Sequence, residues 1–406
     1  MSPLIYLAYK SAWNRRFVLT LVMFAIAMSS FLLLSIERIR TDLRTSFSQS
    51  VSGVDLIVGA RTGSTQLLLY SVFRLGSATN NMQWQSVQAL TQQKMVSWVI
   101  PLSLGDSHKG FSVLGTNQTY FEQFRYGQKQ SLTLEQGRTF NALDEVVLGS
   151  EIARTLGYAL GSKIVLSHGD GILAANDHAG QPFNVVGILK PTGTPVDRTA
   201  HVSLSALEAI HTGDSSIKFS STPQAVTAVL VGLKNRAAVF SLQRMISSFE
   251  AEPLMAILPG VALDELWDTI AISERALIGI SLLVCFVSLL SLSAVITAGL
   301  NERRRELAIL RSLGAGPINI VLLLLIECVI VAVIGVLLGA LLCAVALLAV
   351  GPWAQSQWGL SLQWRAPSAS EYLVAAAILI GASASSLIPS YRAYRLSLGD
   401  GLMQKH

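Results

Sequence analysis

Four apolar runs punctuate the chain, each nearly free of charge. Phe17 to Ile36 (FVLTLVMFAIAMSSFLLLSI) and Ala276 to Leu300 (ALIGISLLVCFVSLLSLSAVITAGL) carry none, and Ile318 to Val350 carries only Glu327. The fourth, Tyr372 to Ile388 (YLVAAAILIGASASSLI), is shorter and rich in small residues. A spanning helix needs roughly 20 predominantly apolar residues to cross about 30 Å of hydrocarbon. The pattern therefore predicts four transmembrane helices, over residues 17–36, 276–300, 318–350 and 372–390. Between and around them lie a short head (1–16), a loop (301–317), a second short loop (351–371) and a tail (391–406).

The long stretch between the first two spans, residues 37–275, follows a different rhythm. Its flanks, ERIRTDLRTSFSQSV and ALDELWDTIAISER, mix charges with apolar residues at three-to-four spacing, so both read as helices that continue the spans as a paired stalk. Inside them, short β-branched runs closed by glycine read as strands: Val54 to Ala60, Phe111 to Thr116, Phe183 to Leu189 and Ala225 to Leu233. Ser86 to Gln93 and Asn235 to Ala251 read as helices. The fold class expected is an α-helical four-span membrane domain plus a large α+β domain on a helical stalk.

Composition agrees. Of 406 residues, 51% are hydrophobic and only 14% charged, and the mean hydropathy is +0.51, too apolar for an ordinary soluble domain. Lys10, Arg15 and Arg16 precede the first run, which resembles a signal peptide start. The run is too long for one, and no small-x-small cleavage site follows before Glu37, so a retained anchor is expected. The three cysteines all fall in apolar runs, so the stretch 37–275 has no disulfide framework.

Charge sets the orientation. Lys and Arg gather on the cytoplasmic side of membrane proteins. With four spans, both termini share a side with loop 301–317, and that side holds Lys10, Arg15, Arg16, Arg303 to Arg305, Arg311, Arg392, Arg395 and Lys405. The other side holds Arg365 and the trio Arg38, Arg40 and Arg44, which runs against the rule, although Glu37 and Asp42 interleave with it. Cytoplasmic termini are expected, with the α+β domain outside. The net charge of +5 reflects these flanking residues and gives no case for nucleic acid.

Three possible chemistries are weak. Gly157 to Lys163 (GYALGSK) has three residues between its glycines where a phosphate loop needs four, and no Ser or Thr follows Lys163. It reads as the glycine-capped end of a helix (GSEIARTLG) followed by a strand (KIVLS). No Gly-x-Ser-x-Gly elbow marks a serine hydrolase. Five of six histidines (108, 168, 178, 201 and 211) lie in 37–275, and His168, Asp170, Asp177 and His178 share one polar loop. Imidazole and carboxylate can bind zinc, but this spacing matches no compact ligand signature, so a solvated loop is expected and no metal is assigned. The chain is expected to be non-catalytic.

Two features belong to the third span. Glu327 is an intramembrane carboxyl, a residue type that calls for a partner or a function. Gly335 and Gly339 have the small-xxx-small spacing that lets helices approach closely. Just before that span, NERRRELAILRSLGAGP (Asn301 to Pro317) concentrates Arg303, Arg304, Arg305 and Arg311. Glu302, Glu306, Leu307, Leu310 and Leu313 permit a short amphipathic helix there, ended by Gly314 and Gly316, with Pro317 opening the next helix where its missing N–H costs nothing. Such a helix can fix topology against anionic lipid or dock into a groove on a motor subunit. Charge alone leaves both open.

ERRRELAILRSLGA resembles the cytoplasmic motif of the MacB/FtsX-like permeases, membrane subunits of bacterial ABC transporters that include the lipoprotein-releasing LolC/LolE pair. LAYKSAWNRRFVLTLVMFAIA resembles their inner-face helix and first span. EVVLGSEIARTLGYALGSKIVLS and FNVVGILKPTGTPVDRTAHVSLSALEAI resemble parts of their periplasmic domain, and LLLIECVIVAVIGVLLG their third span, with Glu327 on the family's glutamate. IPSYRAYRLSLGDGL resembles their closing Pro-x-x-Arg-Ala pattern through Pro389, Arg392, Ala393 and Arg395, but lacks the usual proline near Ser397 and Leu398.

The resemblance implies a one-repeat permease without a fused nucleotide-binding domain, dimerising with a second copy or a related chain. It implies two copies of a separate ATPase that hold ATP and Mg, while this chain binds no cofactor of its own. ATPase contact would fall on Glu302, Arg303, Arg304, Arg305, Glu306, Leu307, Leu310, Arg311 and Leu313. The function implied is mechanotransmission from the ATPase to a periplasmic domain that extracts or exports a substrate, with a periplasmic adaptor or carrier as a further partner. An FtsX-like regulator of a periplasmic enzyme and a permease of a metal-linked system remain as alternatives, as does a membrane sensor or scaffold that needs no motor.

Overall fold

The computed structural model describes residues 16–168, 182–212, 223–302, 316–358 and 365–399. Four helices among them are long and apolar enough to cross a membrane: Arg16–Ser50, Pro259–Glu302, Pro317–Trp358 and Ala369–Gly399. The flanks read from the sequence as helices form single helices with their spans, as nothing in Glu37–Ser50 or Pro259–Arg275 breaks the i to i−4 ladder. The third helix runs past Val350 to Trp358. The fourth continues through Pro389, which removes one backbone donor from its ladder.

The chain divides into two compact units. Residues 1–42, 271–353 and 362–406 form one, and residues 43–270 with 354–361 form the other.

The first unit is the helical bundle. Its core draws Leu19, Val22 and Ile26 from the first helix and Leu292 and Ile296 from the second. Ile320, Leu324 and Val331 of the third join Ile378 and Ala382 of the fourth. Leu282, Phe286, Leu341, Leu348, Leu373 and Ile380 are exposed, as lipid-facing side chains are. Lipid supplies no hydrophobic force between helices, so close packing and hydrogen bonds must hold them together. Ser29 Oγ donates to Ile26 O and Thr297 Oγ1 to Ser293 O on their own helices, while Ser288 Oγ lies within reach of both Val284 O on its own helix and Ala25 O on the first.

The second unit is an α+β domain around an eleven-stranded sheet, counted among the described residues. Nine strands follow one path: Leu254–Ile257, Leu56–Ala60, Ala228–Leu233, Val96–His108, Phe111–Thr116, Thr199–Ser203, Glu145–Leu148, Phe183–Leu189 and Leu134–Gly137. Pairing is antiparallel except between Thr199–Ser203 and Phe111–Thr116, and between Phe183–Leu189 and Glu145–Leu148. Val96–His108 joins the two halves. Residues 96–102 pair with Ala228–Leu233, residues 103–108 pair with Phe111–Thr116, and the register shifts between Leu104 and Ser107. Gly105, at φ 142°, lies within that shift, a backbone state open mainly to glycine.

Helices Trp84–Thr91 and Val239–Ser247 cover one half of the sheet through Val87, Leu90, Leu242 and Ile246. Helices Ser150–Leu156 and Leu204–Thr212 cover the other through Ile152, Ala206, Leu207 and Ile210. A third core contains Ile57, Ile100, Leu102, Leu114, Tyr120, Phe121 and Leu230.

Candidate coupling and packing sites

Of the residues read as the ATPase contact, Glu302 closes the second long helix. Arg303, Arg304, Arg305, Glu306, Leu307, Leu310, Arg311 and Leu313 lie outside the described residues. The third long helix then opens at Pro317, with Asn319 N–H on Gly316 O at 3.0 Å.

Glu327 is buried, at 4% exposure, on the helix that contributes Leu324, Cys328 and Val331 to the bundle core. A turn and more onward, Gly335 and Gly339 meet the first helix. A Cβ on Gly335 would lie 2.8 Å from Ile26 Cγ2, and one on Gly339 would lie 2.6 Å from both Ala27 O and Ser30 Cβ. The two backbones approach closely there, and no larger side chain fits without moving one helix.

The histidines are placed unevenly. His168 ends a short strand paired to Asp106, while Asp170, Asp177 and His178 lie outside the described residues. No group of three His, Cys, Asp or Glu side chains that could hold a metal occurs among the described residues. His108 sits between Val165 O (2.6 Å from Nδ1) and Tyr158 Oη (3.0 Å from Nε2). His201 is fully buried, with Nδ1 on Val147 O and its ring against Tyr120 and Phe121. Burial, then the positive Arg74, hold its pKa down to about 3, so it is neutral at any ordinary pH. These two histidines fit structural roles.

The segment GYALGSK is a helix end and a strand. Helix Ser150–Leu156 stops at Gly157, whose φ of 69° is the left-handed cap, and Lys163–Ile164 follows as a strand. In the nearby KPTGTPVDR, the Asp197 carboxylate accepts from the N–H groups of Thr192 and Gly193 and from Thr192 Oγ1, staking down a turn. Burial raises its pKa, against those hydrogen bonds. Glu145 is the opposite case: Arg138, bonded to both its oxygens, is the main reason its pKa falls to about 2.

The sequence reading missed a charged network in the bundle. Arg38 Nη1 lies 3.3 Å from Glu371 Oε2, and Arg38 Nη2 donates to Arg365 O at 2.8 Å. Arg365 in turn binds Asp42 Oδ1 through Nε (3.0 Å) and Glu371 Oε1 through Nη2 (3.2 Å). Ser368 Oγ donates to Glu371 Oε1 and accepts from Glu371 N–H, capping the start of the fourth helix. The trio that defied the charge rule is thus largely compensated, since Arg40 also pairs with Glu37 and Glu274. The signals available were Ser368-x-x-Glu371 and acids on the same side as the misplaced arginines.

Two family models match the chain. One describes a MacB-like periplasmic core domain and covers residues 19–248. The other describes the C-terminal part of FtsX-like permeases and covers residues 278–398. Among solved structures, the periplasmic region of MacB from Actinobacillus actinomycetemcomitans is 14% identical, covering 55% of this chain and 94% of its own, with a TM-score of 0.35. The extracellular domain of YknZ, a noncanonic ABC-type transporter from Gram-positive bacteria, is 15% identical over 50% of this chain and 99% of its own, with a TM-score of 0.32. No curated protein matches. With four apolar helices long enough to span, the chain is a multi-pass membrane protein. The first model alone spans more than half its length, and the second follows it in order: the chain belongs to the MacB/FtsX-like family of ABC transporter permeases.

Proposed function

We propose that this chain is the inner-membrane permease of an ATP-driven machine, passing ATPase motion to its α+β domain outside the membrane, which extracts or exports a substrate. The observation that carries this reading is the order of the two matches, a MacB-like core-domain match running from the first span to residue 248 and an FtsX-like match over the three later spans. Permeases of this family work with ABC ATPases and do no chemistry themselves. On this reading ATP and Mg bind the partner, two copies of which serve a permease pair, both termini are cytoplasmic, and residues 301–317 dock on the ATPase. The bundle favours transmission over conduction. Apart from Glu327 and the charged network at one end, its interior is packed with apolar side chains, and the hydroxyls of Ser29, Thr297 and Ser383 are spent on carbonyls of their own helices.

Two experiments decide it. The tagged chain, solubilised from its own membranes, should bring an ABC ATPase with it in a one-to-one ratio by mass spectrometry. Arg304→Glu with Arg305→Glu should leave the permease in the membrane and abolish ATP-dependent function, as buried charge reversals at docking helices cost several kcal/mol each. Normal ATP-dependent activity of that double variant would end the docking assignment, and a trapped complex lacking any ATPase would end the permease reading.

A further inference from the structure

We propose that Arg38, Asp42, Arg365 and Glu371 are positioning residues that lock the end of the first long helix to the start of the fourth, leaving the second helix as the one that shifts. The inference extends the coupling reading above, and half of its test is independent of any ATPase.

The argument begins with cost. Arg38 and Glu371 side chains are each 7% exposed and Asp42 is 9% exposed. Charges removed this far from water are unfavourable unless each meets a partner in good geometry. Here two guanidiniums and two carboxylates form a charge-balanced chain: Asp42 to Arg365, Arg365 to Glu371, Glu371 to Arg38, and Arg38 back to the Arg365 carbonyl. Sliding the first helix against the fourth by one residue would strand at least one buried charge. A network of this kind has few alternative arrangements, so it fixes register more than it adds stability. It ties together three separate pieces of chain: residues 38 and 42 of the first helix, Arg365 before the fourth, and Glu371 in its first turn.

The third helix joins the same body lower down. Gly335 and Gly339 lie against the backbone of the first helix from Met23 to Phe31, where any shift meets carbonyls and Cβ atoms.

The second helix is held differently. At this end of the bundle it meets the first helix through the ion pair of Arg40 with Glu274, at 2.7 Å, with side chains 42% and 22% exposed. Exposed pairs of this sort are weak and screened by salt. Deeper, Ser288 Oγ reaches Ala25 O at 3.3 Å while also bonding its own helix, and Leu289 rests against Gly381. Side-chain contacts and an exposed ion pair permit the small sliding of packed helices by which many proteins change state. The geometry assigns the shear plane to the second helix against a body made of the other three.

Spin labels can test this in the full-length permease, in lipid nanodiscs with its ATPase, on a background lacking Cys285, Cys328 and Cys343. Ile39, Ile272 and Leu373 are exposed positions on the first, second and fourth helices near this end. The distance distribution for I39C with L373C should stay narrow and unchanged between nucleotide-free and ATP-trapped states, while that for I39C with I272C should shift. Equal shifts in both pairs, or none in either, overturn the proposal. Without any ATPase, Glu371→Gln should broaden the I39C–L373C distribution. Should that variant fail to insert, Asp42→Asn, which keeps Arg38 on Glu371, serves in its place. An unbroadened distribution in the substituted permease overturns the network's positioning role, whereas absence of the ATPase from wild-type preparations counts against the coupling reading alone.

Discussion

His201 shows how far one residue's chemistry is set by its surroundings. On strand Thr199–Ser203 it is enclosed by Tyr120 and Phe121, with one ring nitrogen on Val147 O. Folded, its pKa is about 3, against an ordinary 6.5. Between those values the unfolded chain takes up a proton that the folded chain refuses. The contribution to stability is therefore complete above pH 6.5 and is lost as the pH falls toward 3. The slope approaches about 1.4 kcal/mol per pH unit. Glu145 works in a lower window, since its pKa drops from 4.5 to about 2 and its contribution is lost only below the first of these. Between pH 6.5 and 4.5, then, His201→Gln should flatten the fall of the unfolding midpoint relative to wild type. Parallel curves for the two proteins, measured on the full chain in detergent, would show that His201 is not the buried neutral group described.

At the scale of elements, the contact between the first and third long helices depends on two missing side chains. Gly339→Val would place carbon where Ala27 O and Ser30 Cβ stand 2.6 Å away. Overpacking of this kind costs about 1–3 kcal/mol, so a lowered thermal midpoint is expected, with Gly335→Val behaving alike. Gly279, on the second helix, has nothing within 4 Å of its missing Cβ. Gly279→Ala should be neutral, or stabilising by up to about 1 kcal/mol through helix propensity alone. If the substitutions at Gly339 and Gly279 prove equally harmless, the close approach of the first and third helices is wrong.

For the whole molecule the question is whether cargo crosses the bundle. Cys285, Cys328 and Cys343 are all buried among its helices. A transmission device keeps that interior dry through its cycle, whereas a conduit must wet it. A membrane-impermeant maleimide should leave all three thiols unlabelled, with and without ATP, and label them once the protein is denatured. Labelling that appears only in the ATP-trapped state would mean an aqueous path opens, and mechanotransmission without passage would be abandoned.

The sequence by itself determined the elements whose reason is local. Four runs had to be spanning helices, because only a helix satisfies its own backbone in hydrocarbon. Phe111–Thr116 and Phe183–Leu189 stand in the structure with the bounds read from their β-branched, glycine-closed pattern. Gly157 ends its helix because the left-handed cap suits a residue without Cβ. The family was legible in a handful of motifs, although the motif expected to meet the ATPase lies largely outside the described residues. Tertiary structure decided the rest. Val96–His108 carries Pro101 and Gly105, residues that read as breakers, yet it is the longest strand, because partners on both sides supply hydrogen bonds that local propensity does not count. Ala225–Leu233 splits at Thr227, whose N–H goes to Leu102 O. The clearest case is the network of Arg38, Asp42, Arg365 and Glu371. Its first and last members are 333 positions apart, and in the sequence they were only a breach of the charge rule. A charge can be buried once its partners are folded against it, and that is a property of the assembled bundle.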